Sequence, residues 1–230
     1  MLKGLLCVAA LLIGSSSLLG DDAPGLTTAL RGALTKNAAH ARDWLDQKDF
    51  KSLAQSSGTL QLLADLLKTR SDDAAWQAAT AKVASAVGDL QVAARGEDAA
   101  KCLVAIETLE KSAAAVESAA PSGKPLPLPR GPGLRPLMLT MGGVYADAKI
   151  ALIGGNVATA KNQALVLSEL GKLVSNSRSG EPWTTRGSAF SEAALAAATS
   201  PEIDPQKVRQ LLRSISQRCD ACHEMRDAAR

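Results

Sequence analysis

Residues 156–176 read NVATAKNQALVLSELGKLVSN, and Leu165, Leu167, Leu170, Leu173 and Val174 within them recur at intervals of three and four. That interval brings side chains onto one face of an α-helix. The run that opens at Pro205 behaves alike, with Val208, Leu211, Leu212 and Ile215. Breaks fall at Gly154–Gly155, at 177–180 and at 199–204, while Pro182 and Pro205 suit a first helical turn. The second half of the chain thus divides into four helices, 137–154, 156–176, 182–198 and 205–228. No segment sustains period-two alternation with β-branched or aromatic enrichment, so strands are not expected. Four helices of this length joined by short turns imply an antiparallel four-helix bundle.

The first half repeats the pattern. Ala39, Ala41, Leu45, Phe50, Leu60, Leu63 and Leu67 are matched, 107 residues on, by Ala146, Ala148, Leu152, Val157, Leu167, Leu170 and Val174. Trp76 pairs with Trp183 at the same offset; later the offset slips by one, and Ile106 and Leu109 match Leu212 and Ile215. A fixed period of this kind marks a duplicated unit. Between the copies lies PSGKPLPLPRGPGLRP, residues 121–136, with six prolines and three glycines, which favours an extended, semi-rigid connection. The expected fold is all-α: two tandem antiparallel four-helix bundles, 21–120 and 137–230, joined by a proline-rich strap.

Residues 1–20 differ in kind. Lys3 precedes an apolar run from Leu5 to Ile13, small and polar residues follow, and Asp21 and Asp22 open the remainder. This reads as a secretory signal peptide with cleavage near Gly20, and hence a periplasmic protein. The alternative is an uncleaved N-terminal anchor, for which the run falls short of the ~20 residues a span needs. No other segment is expected to cross a membrane. The 26 basic and 23 acidic residues are scattered, which argues against a nucleic-acid footprint.

Beyond the leader there are three cysteines, Cys102, Cys219 and Cys222. An odd number argues against a disulfide framework, and Cys102 falls among helical apolar positions, as an inert buried thiol would. Cys219-Asp220-Ala221-Cys222-His223 is C-x-x-C-H, the pattern of covalent haem attachment. Two thiols on neighbouring turns reach the two vinyl groups of one porphyrin edge, and the adjacent imidazole of His223 becomes the proximal iron ligand. Three other readings compete. A thioredoxin-like dithiol belongs at a helix start in a β-α-β setting. Zinc needs further ligands, and the only other histidine, His40, lies in the other half. A disulfide within helical C-x-x-C geometry is strained. In the first half the corresponding residues are Ser112-Ala113-Ala114-Ala115-Val116-Glu117, so that copy is expected to be haem-free.

A four-helix bundle with C-x-x-C-H in its last helix resembles the cytochrome c′ family. The ending CDACHEMR is similar to the family's, with a basic residue, Arg226, three after the histidine. RPLMLTMGGVYADAKIALIGGN resembles its opening helix through Arg135, Met141, Gly142 and Lys149, with Arg135 one residue out of register. The resemblance implies one covalent haem c held by Cys219, Cys222 and His223. It also implies that Met138, three residues before the Met-Gly step, faces the distal side of the haem. A thioether there either ligates the iron, giving a six-coordinate electron carrier, or covers a five-coordinate iron open to NO or CO. Met141, a turn further on, is the substitute ligand. Core packing is the plain reading of both. Arg31 and Leu34 occupy their places in the first half. Arg226 and Arg135 are candidates for haem propionates, since guanidinium suits carboxylate, or are solvated surface charges.

The resulting expectation is not an enzyme but a periplasmic single-electron carrier that docks transiently with redox proteins. The alternatives are a gas-binding or gas-sensing protein, and an interaction scaffold stabilised by haem. Four-helix haem bundles often pair, so a homodimer is one expectation; the first copy supplying the same surface within one chain is the other.

Overall fold

The computed structural model describes residues 25–129, 133–177 and 181–228. Among them stand eight α-helices and no strand: α1 (Leu26–Asp46), α2 (Phe50–Lys68), α3 (Ala74–Arg95), α4 (Ala99–Ser118), α5 (Leu134–Ile153), α6 (Val157–Ser177), α7 (Glu181–Thr199) and α8 (Pro205–Ala228). The largest departure from the expected bounds is α5, which starts inside the stretch read as connection. A proline in the first turn gives up an N–H that the helix leaves unpaired there, so Pro136 does not delay it.

Short polar residues set the helix starts. Asp49, Asp73 and Asp98 accept hydrogen bonds from the backbone N–H of Ser52, Trp76 and Lys101 at 2.9, 2.9 and 3.0 Å. Asn156 does the same for Thr159 at 2.9 Å, and Asp204 for Gln206 at 2.8 Å. Such caps satisfy amides that the first turn leaves orphaned. They also carry the repeat. Lys48-Asp49 and Gly155-Asn156, 107 apart, both place a left-handed residue before the cap, with φ of 57° and 73°. Asp98 and Asp204 match at the slipped offset of 106.

Side-chain environment follows the same register. Ala41 and Ala148, Leu45 and Leu152, Leu60 and Leu167, Leu63 and Leu170, and Leu67 and Val174 are all buried. Ala39 and Ala146 are both exposed. Each leucine so buried contributes about 1.5–3 kcal/mol through the hydrophobic effect. Trp76 is fully buried and donates its indole N–H to the Leu67 carbonyl at 2.8 Å, whereas Trp183 is only partly buried. Cys102 is fully buried in α4, and burial, reinforced by Asp98, pushes its thiol above the ordinary cysteine range.

Within each half, consecutive helices pack across short turns and so run antiparallel. In the first half α4 returns to pack on α1; in the second α8 lies along α7 but meets α5 and α6 only sparsely. The halves meet where α1 packs on α6 and α2 on α5. This seam is partly polar. Thr140 and Thr59 hydroxyls lie 3.1 Å apart, and Lys36 pairs with Asp147 at 2.5 Å. Arg70 and Glu169 are both buried, and burial lowers the Arg70 pKa against the opposing pull of the Glu169 charge. His40 lies beside the seam, edge-on to Trp44 with ring centroids 5.9 Å apart.

The described start of the proline-rich connection, residues 121–129, is docked on the α2–α3 turn. Leu126 N–H donates to the Thr69 carbonyl at 2.7 Å, and Asp72 N–H to the Lys124 carbonyl at 2.8 Å. Gly123 and Lys124 amides donate to the Ser71 hydroxyl and the Asp72 carboxylate, each at 2.8 Å. Extended backbone leaves its polar groups outward, and the α2–α3 turn takes them up. A Cβ on Gly123 would lie 2.7 Å from Ser71 Oγ and 2.8 Å from Asp73 N, so only glycine permits this approach.

By length and composition α5 is apolar enough to cross a membrane, which corrects the expectation that nothing beyond the N-terminus is. Here it packs on α6 and α2, burying Leu137, Met141, Val144, Ala148 and Leu152. Residues 1–20, read above as a leader, lie outside the described residues.

Candidate functional site

The stripe of α8 that buries Val208, Leu212 and Ile215 continues, one turn at a time, to Cys219 and His223. There α8 stands off from α5, and a cavity of about 270 Å³ opens between them. That is near the lower end of small-molecule sites, about 300–1,000 Å³. Cys219 and His223 form one wall, together with Ser216. Met138, Met141, Gly142 and Tyr145 of α5 form another, and Val174, Arg186, Gly187 and Phe190 close the remainder. Cys219 is half-buried and His223 exposed, so the thiol lies deeper and the imidazole at the rim.

Close packing beside the cavity explains why its wall is fixed. A Cβ on Gly187 would fall 2.6 Å from Ser175 N and 2.9 Å from the Gly171 carbonyl oxygen, so the backbones of α6 and α7 nearly touch. The Ser168 and Ser191 hydroxyls, 3.1 Å apart, join the same seam. Arg186 and Phe190 are thereby held against the opening. Tyr145 reaches across from α5 and donates its hydroxyl to the Leu212 carbonyl at 3.2 Å. The Lys149 ammonium stands 5.9 Å from its ring centroid. Arg186 donates to the Ala221 carbonyl, inside the C-x-x-C-H turn.

The structure therefore brings together Cys219, His223, Met138 and Met141. Arg135 is exposed and takes no part in the wall. Cys222 belongs to α8, but its side chain and that of Arg226 lie outside the described residues. Arg186, Tyr145 and Phe190 were not anticipated. The signal for two of them was the inward stripe of α7, Trp183, Arg186, Gly187, Phe190 and Ala194, in which an arginine interrupts small and apolar residues. Among the described residues no three or more His, Cys, Asp or Glu side chains gather as a metal cluster.

The first half offers a contrast at the equivalent place. Arg31 stands where Met138 does, its guanidinium 5.1 Å from the Trp76 ring centroid and donating to the Ala119 carbonyl. Leu34, in place of Met141, is fully buried. A groove of about 490 Å³ remains along the α1–α4 seam, lined by Thr35, Ala38, Glu110, Ala113 and Glu117. It presents neither thiol nor imidazole, and Glu110 is already paired with Arg42 at 2.7 and 3.0 Å.

No protein-family model matches this chain, and neither does any curated protein or solved structure.

Proposed function

We propose that this chain is an exported c-type cytochrome with one covalent haem, acting as a periplasmic single-electron carrier. One observation carries the reading: Cys219 and His223 share an apolar cavity with Met138 and Met141 on the facing helix. The donor set fits the group, because C-x-x-C-H supplies two thiols for thioethers and an imidazole for the iron, while the opposite wall offers soft thioether sulfur. Haem supplies one-electron ferrous–ferric chemistry when bound. His223 would hold the iron from one side and Met138 from the other, with Met141 one turn behind it. Cys219 and Cys222 would fix the macrocycle to α8. Val174 and Phe190 keep water from the interior, and a dry surround is one of the levers on potential.

On this reading the eight helices form two tandem antiparallel four-helix bundles, 21–120 and 137–230, similar to cytochrome c′. The shared burial register and the matched caps support the duplication. The first bundle is haem-free, with Arg31, Leu34 and Trp76 packing where a cofactor would stand. The α1–α6 and α2–α5 contacts pair the two bundles within one chain, taking the place of a homodimer.

A second reading rests on the same wall. Met138, Met141 and Tyr145 together make an apolar cover, and such a cover over five-coordinate iron admits NO or CO. One experiment tests both: an optical spectrum of the protein expressed with haem-maturation machinery, beside Met138→Ala. Covalent haem that survives acid–acetone extraction, low-spin in the wild type and high-spin in the variant, is the expected result. Haem that is already high-spin and shifts with CO makes gas binding the function. Loss of all haem on extraction overturns both.

A further inference from the structure

We propose that Arg186 anchors a carboxylate of the molecule that occupies the cavity. On the haem reading, on which this assignment rests, that group is a propionate. Arg186 is the one permanently charged side chain on the described cavity wall, which otherwise presents thioether, aromatic, aliphatic and small groups with His223 at the rim. An apolar body and an anionic edge are together what such a wall selects. A cation facing an apolar cavity is costly unless an anion meets it.

The geometry leaves donors free for that purpose. Guanidinium carries five N–H groups in a planar fork. Among the described residues, one of these N–H groups, on Nη1, is committed to the Ala221 carbonyl. The remaining edge suits a carboxylate, which arginine binds through paired, charge-assisted hydrogen bonds. Arg186 is also held in place beforehand. Its neighbour Gly187 lies at a close approach of α6 and α7, so the arginine's backbone has little freedom to retreat. Little ordering is left to occur on binding, which favours affinity. The Ala221 contact adds a link between this anion site and the C-x-x-C-H turn, so the same guanidinium orients both the ligand's edge and the helix that holds its metal. Arg135, one of the two arginines considered for this role from the sequence, is exposed and away from the wall.

The test uses the full chain made without haem-maturation machinery, titrated with mesohaem and with mesohaem dimethyl ester. Mesohaem has ethyl groups in place of vinyls, so no thioether forms, and the ester removes only the carboxylate charge. The wild type is expected to bind mesohaem roughly 10- to 100-fold more tightly than the ester, as charge-assisted hydrogen bonds imply. Arg186→Gln retains an amide donor for the Ala221 carbonyl but no charge, and is expected to bring that ratio close to one. Arg186→Lys, which keeps the charge without the fork, should fall between the two, and helical content by circular dichroism checks that each variant folds. If Arg186→Gln keeps the wild-type ratio, the assignment is overturned while the haem reading stands. If the wild type binds neither probe, the haem reading itself is overturned, and the assignment with it.

Discussion

Replacing Gly187 by alanine is expected to destabilise the protein relative to the same change at Gly143, which is expected to stabilise it. Inside a helix, alanine is favoured over glycine by about 1 kcal/mol. At Gly143, in the middle of α5, an added Cβ meets nothing within 4 Å, so that gain is realised in full. At Gly187 the Cβ would fall 2.6 Å from Ser175 N and 2.9 Å from the Gly171 oxygen, both rigid backbone atoms of α6. Relief requires α6 and α7 to part by roughly 0.5–1 Å, a gap that forfeits about a quarter to a half of each dispersion contact along the seam. Overpacking of this kind costs about 1–3 kcal/mol. Set against the propensity gain, the net loss is about 0–2 kcal/mol, and the gap to Gly143→Ala is about 1–3 kcal/mol. Urea unfolding of wild type, Gly143→Ala and Gly187→Ala, followed by circular dichroism in one preparation, reads the contrast. A Gly187→Ala protein as stable as Gly143→Ala would refute the close approach of α6 and α7, and with it the fixed placement of Arg186.

Two further outcomes follow from the turns. Lys48→Gly is expected to stabilise by about 0.5–1 kcal/mol, because a non-glycine residue at φ 57° carries a steric cost that Gly155, its counterpart, avoids; unchanged thermal unfolding would count against the matched turn geometry. Asp98 is held below the ordinary carboxylate range by the backbone N–H and side chain of Lys101. Its folded pKa is thus depressed, so its contribution is present above the unfolded value near 4 and is lost as pH falls through the folded one. The stability gap between wild type and Asp98→Ala should therefore close as pH drops below about 4, and a gap constant down to pH 2 would show that the carboxylate charge is not what caps α4.

Much of this architecture could be read before any coordinates. The three-and-four spacing of leucines in α6 and α8 is strong because each stripe must face a core, and Pro182 and Pro205 mark starts by simple sterics. The 107-residue register was visible in apolar residues but not in the turns. Lys48-Asp49 and Gly155-Asn156 share no residue type, only a backbone conformation and a capping oxygen. The strap was legible as extended chain, but not where it lies, since its partners are backbone groups of Thr69 and Asp72 with one hydroxyl and one carboxylate, which mark no particular turn. At the site, Cys219 and His223 announced themselves through a motif. Arg186 showed only as an arginine within the inward stripe of α7, and its meaning depends on α7 standing beside α8, a tertiary fact. The pairing of α1 and α2 with α6 and α5 was equally hidden; its polar part includes threonine hydroxyls and the Lys36–Asp147 pair, which resemble any helix surface.

That polar seam, joined by a strap already bonded to the α2–α3 turn, changes the arithmetic of association. Tethering by a short linker gives each half an effective concentration of its partner on the order of millimolar. A contact too weak to hold two separate molecules together at micromolar concentration stays mostly closed when its halves are joined in this way. Closure is then independent of dilution, and damage to the seam appears as local opening within one chain rather than as subunits drifting apart. Threonine hydroxyls are consequently tolerated in a contact for which two independent chains would need a broader oily patch.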